Sequence, residues 1–473
     1  MMNAQSGTQK EGSLAWVIFL SFVAAIGGFL FGFDSGVING TVDALQKAFG
    51  SSSVGTGINV SSMLLGCAAG AFFAGALADR FGRKPLMLAT AVAFAISAWG
   101  SGIAGGSTEF VIYRVLGGLA VGAASILAPA YISEIAPPRI RGRLATLQQM
   151  MIVIGLFLAF LSNYLIASAA GGSASAVFWG GWQAWQWMFW MEIFPALLFL
   201  VCLLFIPESP RFLVAAGRDG RAAAVLSRIS GPQKAAVQVA DIKSTLEAGR
   251  KPRLTDIINH VTGKVHPVVL AGLAIAVLQQ FTGINVVMYY GSVLWQAAGF
   301  SEGDSLLVNV ISGCVNVGFT FVAIALVDRI GRRPLLLVGA LGQAVMLAIL
   351  AIIFATADKD PGIGLHLGRV AGTGALLAAN AYIAFFAATW GPVVWVMLGE
   401  MFPNQCRGAA LAVCGLAGWF ANFLVTMTFP ILLAAFDLGI TYMIYAAFGL
   451  VAWFFVRGFV EETKGRTLEE MSR

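Results

Sequence analysis

The chain has 473 residues, 58% of them hydrophobic and only 11% charged, with a mean hydropathy of +0.83. Soluble domains carry about 25% charged residues, so this chain lacks the polar surface to stay dissolved, and its principal solvent is the bilayer. The 29 Lys and Arg against 23 Asp and Glu, a net +6, would suit nucleic acid or anionic lipid; the placement of the cations decides between them.

A hydrocarbon core of ~30 Å needs ~20 apolar residues per helix. On that scale twelve spanning helices are predicted, at 14–37, 57–78, 85–104, 110–132, 146–168, 185–206, 267–290, 306–327, 335–356, 372–397, 409–433 and 439–459. The first exceeds the apolar stretch of a signal peptide and no small-residue cleavage site follows it, so it reads as a retained helix. With both termini in the cytoplasm, 25 of the 29 cations fall in cytoplasmic segments, as the positive-inside rule requires. The exceptions are Lys47, Lys359 and Arg369 on the outer side and Arg114 inside a span. One helix more or fewer would scramble this asymmetry, which accounts for the basic balance without nucleic acid.

Helix 1 carries Asp34 near its outer end, and helix 4 carries Arg114 near its outer start, at similar depth. A charge at the bilayer centre costs ~2.5–3.5 kcal/mol on insertion scales, so the two read as a pair. That pair is either a structural device or a proton-coupling one, in which protonation of Asp34 frees one half of the protein to move. Asn39-Gly-Thr41 and Asn59-Val-Ser61 match the glycosylation triplet but hug the membrane. Helix 5 begins with Gln148-Gln149. Glu192, in Trp190-Met-Glu-Ile-Phe-Pro195 of helix 6, has no evident cation partner.

The stretch 207–266 holds ten cations and two short amphipathic patterns, Asp219–Ile229 and Ala235–Ala248, too charged to span. It reads as a helical bridge on the cytoplasmic surface. Helix 7 carries Gln279, Gln280, Thr282, Asn285 and Tyr289; a continuous helix would bring Gln279, Thr282 and Tyr289, or Gln280, Asn285 and Tyr289, near one face. Asn316 follows in helix 8, Trp390 and Trp395 in helix 10, and Trp419 and Asn422 in helix 11. Amides that donate and accept, and indole faces that stack on C–H surfaces, suit a neutral polyhydroxylated ligand. An anionic substrate would call for a second buried cation in the central spans, and none is present.

Self-similarity gives the organisation. Asp79-Arg-Phe-Gly-Arg-Lys-Pro-Leu86 recurs 249 residues on as Asp328-Arg-Ile-Gly-Arg-Arg-Pro-Leu335, and Glu134-Ile-Ala-Pro-Pro-Arg-Ile-Arg-Gly142 recurs loosely as Glu400-Met-Phe-Pro-Asn-Gln-Cys-Arg-Gly408, 266 residues on. The chain therefore divides into a six-helix half at 1–206, the linker 207–266, a parallel six-helix half at 267–459 and a tail at 460–473. The five scattered cysteines read as packing residues and the three histidines, His260, His266 and His366, as loop residues. No metal cluster, cofactor motif, nucleophile–base pair or nucleotide loop stands out, so enzyme chemistry is not the expectation.

The motifs Asp79-Arg-Phe-Gly-Arg-Lys, Asp328-Arg-Ile-Gly-Arg-Arg, Pro207-Glu-Ser-Pro-Arg211, Gln279-Gln-Phe-Thr-Gly-Ile-Asn285, Trp390-Gly-Pro-Val-Val-Trp395 and Glu462-Thr-Lys-Gly465 together resemble those of the sugar porter family of the major facilitator superfamily, over essentially the whole chain. The resemblance implies an all-α membrane protein of twelve transmembrane helices in two six-helix halves, carrying a monosaccharide such as glucose or xylose across the plasma membrane by alternating access. It matches Gln149, Gln279, Gln280, Asn285, Asn316 and Trp395 to sugar ligands, and Phe31, Phe386, Gly391, Tyr289 and Trp419 to residues that line or gate the site. Phe31-Gly-Phe-Asp34 and Tyr113-Arg114 resemble the bacterial sugar–proton symporters, which implies a proton as co-substrate; an uncoupled uniporter is the alternative. A transporter-like sensor would use a long cytoplasmic tail, and about 14 residues follow helix 12.

By the same resemblance, Arg80, Arg83, Glu134, Arg143 and Glu208 in one half, and Arg329, Arg332, Glu400, Arg407 and Glu462 in the other, form a cytoplasmic charge network that latches the halves when the site is open outward. The implied partners are the sugar, the proton and lipid, with no cofactor, and the chain is expected to be a monomer. Three departures stand out. Leu156 replaces a sugar-facing glutamine and Gly418 a polar residue before Trp419, changes expected to enlarge or dry the pocket. Glu461 replaces the proline usual before Glu462.

Overall fold

The computed structural model describes residues 13–137, 140–248, 254–258, 263–360, 364–403 and 406–464. Of the positions used above, Lys10, Pro138, Arg139, Arg250, Lys251, Arg253, His260, Asn404, Gln405, Gly465, Arg466 and Arg473 lie outside the described residues.

Among the described residues, 12 helices are long and apolar enough to cross a membrane. They are α1 Leu14–Val37, α2 Ser53–Phe81, α3 Arg83–Ile103, α4 Ser107–Ile135, α5 Arg141–Ala169, α6 Ala184–Phe205, α7 Pro267–Ala297, α8 Glu302–Ile330, α9 Arg332–Ala355, α10 Arg369–Met401, α11 Arg407–Ala435 and α12 Leu438–Phe459. All twelve predicted spans are present, several extended by about a turn at each end. The extensions have local causes. The Ser52 hydroxyl accepts the Gly55 N–H at 3.2 Å and so starts α2 before its apolar stretch. Gly82, at φ 100°, and Gly331, at φ 106°, end α2 and α8, where only glycine turns the chain without strain.

Three spans are broken, and hydropathy carries no sign of it. α6 divides into Ala184–Trp190 and Ile193–Phe205, leaving Glu192 in the gap. α7 divides into Pro267–Phe281 and Ile284–Ala297 at Thr282-Gly283, where Gly283 adopts φ 84°. α10 divides at Thr389. Backbone groups freed by such breaks must find partners away from water: the Tyr382 hydroxyl donates to the Thr282 carbonyl at 2.9 Å. Because α7 is interrupted between Gln280 and Asn285, the single helical face expected for Gln280, Asn285 and Tyr289 does not exist as such.

α2 packs along α4, α1 along α5 and α4, and α9 along α12 and α10. The first six helices meet the last six chiefly where α2 lies on α11 and α5 on α8. Close approach requires glycine here: a Cβ on Gly32 of α1 would fall 1.8 Å from the Ile152 carbonyl oxygen of α5, and one on Gly118 of α4 2.0 Å from that of Met63 of α2.

Among its described residues the linker forms a short 3-10 turn, Leu254–Ile257, and three α-helices, Pro210–Ala215, Asp219–Ser230 and Pro232–Ala248. They bury Leu213, Val214 and Ala222 among themselves, and the second is tied to α1 by Ser13 N–H on the Arg228 carbonyl at 3.0 Å and the Arg228 guanidinium over Trp16. A two-stranded ladder, Asp358–Asp360 with Gly364–His366, lies between α9 and α10. Cys67, Cys406 and Cys414 are buried, as packing residues should be; Cys314 faces outward instead.

Candidate functional site

The first constellation is charged. Asp34 of α1 and Arg114 of α4 are each about 1% exposed and form a direct ion pair between the Asp34 Oδ1 and Arg114 Nη1 atoms. Arg114 Nη2 reaches the Met63 sulfur at 2.8 Å, and the guanidinium lies over the Phe189 ring. The break in α6 adds a third ionisable group that the sequence reading left without a partner: Glu192, equally buried, is an electrostatic neighbour of both Asp34 and Arg114. Arg114 Nε has no hydrogen-bond partner among the described residues, and the Glu192 and Asp34 carboxyl groups face each other rather than a further cation. Three ionisable groups are thus held in one dry place, where each needs the others.

The second constellation is neutral. Gln279 donates to the Trp390 carbonyl at 2.7 Å across the α10 break, Gln280 to Gln279 Oε1 at 3.1 Å, and Asn285 to Gln280 Oε1 at 2.6 Å. The break in α7 is what lets Asn285 turn back on Gln280. Gln280, Asn285 and Gln149 are half-buried, Asn316 is buried, and Trp395 is 45% exposed. Phe31 of α1 packs on Trp419 of α11 at 5.6 Å, Phe386 lies against Gly391, and the Tyr289 hydroxyl lies beside Asn422 and Ser35.

The two departures expected to enlarge or dry the pocket differ in their packing. Leu156 is buried, and it packs against Gly36 of α1 as part of a helix contact. At Gly418 an added Cβ would meet only Ala276 atoms, at 3.8 and 3.9 Å, so there is room for a side chain. Gln148, next to Gln149, faces α1 at Gly28, and both of its amide atoms lack partners among the described residues.

The chain matches the model of the family described as sugar (and other) transporter over residues 20–473. The chain belongs to the sugar transporter family. It is 49% identical over 471 residues to a glucose transport protein of Synechocystis sp., covering 100% of both chains. It is 40% identical to the D-xylose-proton symporter of Escherichia coli K12, covering 97% of this chain and 95% of that one. The inward-open structure of the Escherichia coli xylose transporter superposes with a TM-score of 0.82 at 38% identity, covering 96% of this chain and 99% of that one. The fold is that of the major facilitator superfamily, and the chain is a sugar transporter, an integral multi-pass protein of the bacterial inner membrane, which moves its substrate without transforming it.

In the transporter the hydrogen bonds between the two sets of six helices, among the described residues, gather at one end. Asn39, at the end of α1, donates to the Met288 carbonyl at 2.7 Å, and its Oδ1 accepts from Ser292 N at 3.2 Å and from Asn309 at 2.7 Å. Gln296 donates to Asp43 at 2.5 Å, and Glu302 accepts from Ala174 N at 2.7 Å. The sequence reading missed this set; Asn39 drew notice only for its triplet.

At the opposite, basic end each described ion pair stays within its own half. Arg83 pairs with Glu134 at 2.9 Å and Asp79 at 3.0 Å, while Glu208 accepts from the Arg83 and Lys84 amides. Arg332 pairs with Glu400 at 2.7 Å and Asp328 at 3.1 Å, while Glu462 accepts from the Arg332 and Arg333 amides. Burial raises the Glu208 pKa despite these amides. Burial acts the same way on Glu462, but the amides of Lys464, Arg332, Arg333 and Thr463 outweigh it and hold the carboxyl below its usual range. Of the other predicted members, Arg407 donates to the Phe402 carbonyl, Arg329 contributes its carbonyl to Lys464, Arg80 lies over Phe81, and Arg143 is exposed.

Proposed function

We propose that this transporter carries a monosaccharide, a hexose or pentose such as glucose or xylose, together with a proton, with both termini in the cytoplasm and Asp34 as the proton acceptor. The observation that carries the reading is the buried cluster of Asp34, Arg114 and Glu192. Protonating Asp34 cancels its attraction to Arg114, and in this proposal Glu192, which neighbours both groups, takes over the freed guanidinium as its carboxylate. The pair can therefore be exchanged without leaving a bare cation in the membrane, whose cost is ~2.5–3.5 kcal/mol. A proton entering there changes which helices, α1 or α6, are bound to α4.

The sugar site is proposed at Gln149, Gln279, Gln280, Asn285, Asn316 and Trp395, with Phe31, Phe386, Gly391, Tyr289 and Trp419 around it. The linked Gln279–Gln280–Asn285 amides leave donors and acceptors for hydroxyls, and the exposed Trp395 indole offers a face for a sugar ring. The xylose-proton symporter and glucose transport protein among the relatives support both parts. Closure at Asn39 and separate ion pairs at the basic end support reading this arrangement as the inward-facing one, in which the cytoplasmic latch is released.

Uptake of labelled glucose and xylose into proteoliposomes, with and without an inward proton-motive force, tests the proposal. One charge moved through 100 mV is worth ~2.3 kcal/mol, which at ~1.4 kcal/mol per tenfold gives roughly fifty-fold accumulation. Equilibration unchanged by the gradient would make the protein a uniporter and leave the charged cluster a structural or gating role.

A further inference from the structure

The connection between α5 and α6 is built rather than slack. Residues 144–191 contain no Asp, Glu, Lys or Arg, and within them Val177-Phe-Trp-Gly-Gly-Trp182 folds back on itself. Val177 bridges Gln183, Phe178 N–H donates to the Trp182 carbonyl at 2.8 Å, and Gly180 and Gly181 turn the tip at φ 65° and 82°. Glycines in that region are what a tight reversal demands. The stem is fastened: Ala184 and Trp185 amides donate to Ala176 and Ala174, the Trp187 indole N–H to the Trp179 carbonyl, and Gln186 to the Gly102 carbonyl.

A segment so fixed would be expected to bury its large side chains. Instead Val177 is 65%, Trp179 68% and Trp182 43% exposed. The two tryptophans rest on Trp187 and Trp190 at 5.2 and 5.3 Å, and Trp190 stacks on Trp99 at the end of α3. α3 and the first segment of α6 pack on helices of the first half, not on α7–α12. The stem touches the second half at Ala174, hydrogen-bonded to Glu302, while the hairpin tip 177–182 stands on the rim beside α3 and α6. Its exposed face runs on into Trp99 and, across the α6 break, Phe194, both turned outward, so it continues the surface that contacts lipid.

We propose that the hairpin 177–182 is a lipid-binding wedge, with Trp179 and Trp182 lying in the glycerol and carbonyl region of the outer leaflet and holding the first six-helix half at a fixed depth. Indole suits that layer because its ring is apolar and its N–H is polar. The absence of charge makes the binding indifferent to headgroup charge, so phosphatidylcholine serves as well as an anionic lipid. The inference is independent of which sugar is carried and of proton coupling.

The test is tryptophan quenching in proteoliposomes of phosphatidylcholine brominated near the glycerol end of its chains, compared with lipid brominated near the chain ends. Trp179→Ser with Trp182→Ser should remove a larger share of the shallow-lipid quenching than two of the 12 tryptophans, because several of the others are buried, and leave the deep quenching alone. Trp179→Phe with Trp182→Phe keeps the wedge apolar and controls for folding; sugar binding should be unchanged in both doubles. The proposal is overturned if shallow quenching is the same with and without the two tryptophans. It is equally overturned if iodide in the water quenches them fully, or if added sugar rather than brominated lipid changes their emission.

Discussion

Asp34 and Arg114 show what single residues can disclose before any fold is known. Two opposite charges at equal depth in a medium that penalises both must meet, and they do. Glu192 could not be joined to them in the same way, because its position depends on a helix break with no hydropathy signature. Asp34→Asn should abolish gradient-driven accumulation while leaving sugar exchange across the membrane; accumulation by the variant would remove Asp34 from coupling. Glu192→Gln tests the exchange of partners: it should slow proton-coupled uptake more than exchange, and equal slowing of both would reduce Glu192 to a packing role. For the sugar, Gln280→Ala and Trp395→Ala should each weaken binding, by roughly tenfold for the loss of ~1–2 kcal/mol of hydrogen bonding or stacking. Calorimetric titration with glucose and xylose measures this, and unchanged affinity in both variants would move the site.

Elements were legible in length but not in continuity. Apolar run length and basic flanks place the spans because the bilayer imposes them. Hydropathy misses the breaks, but residue types mark them: Pro195 and Pro392 follow Glu192 and Thr389 by three residues, each removing a helical hydrogen bond, and Gly283 takes a left-handed turn. A partner on another helix, Tyr382, then satisfies the freed Thr282 carbonyl. Leu156 and Gly418, both expected to alter the pocket, differ in packing: the first also forms a contact between α1 and α5, and the second leaves room for a side chain. Glycine substitutions separate tight contacts from loose ones. Gly32→Ala would press a methyl into the Ile152 backbone at 1.8 Å, where overpacking costs at least the usual ~1–3 kcal/mol. Gly418→Ala meets only ordinary contacts and should gain up to about 1 kcal/mol of helix stability. Thermal denaturation in detergent should show the first variant melting well below the parent and the second at or above it; the reverse order would mean that the α1–α5 contact is not what it looks to be.

At the scale of the whole molecule, the duplicated Asp79 and Asp328 motifs foretell two halves, but nothing in one half's sequence says at which end it touches the other. That depends on side chains distant in sequence, Asn39 with Met288 and Asp43 with Gln296. Asp43 gives this closure a pH sense. Burial raises its pKa; the Gln296 hydrogen bond opposes, the charge of Glu302 adds, and Lys47 opposes. Opening the outer end exposes Asp43 and returns it toward its ordinary value of about 3.9, so the closed state binds the proton more tightly. Closure is therefore favoured most below that ordinary value and loses this contribution as pH rises through the raised one. Distances between spin labels placed across the rim that carries Asn39 and Asp43 should lengthen with pH over that window in an Asp34→Asn background, where the proton proposed at Asp34 no longer contributes. Adding Asp43→Asn should flatten the response in the closed direction, because a neutral amide pays the same cost at every pH. A dependence that survives the second substitution would assign the proton to another group, with Glu302, which faces the same contact, the next to replace.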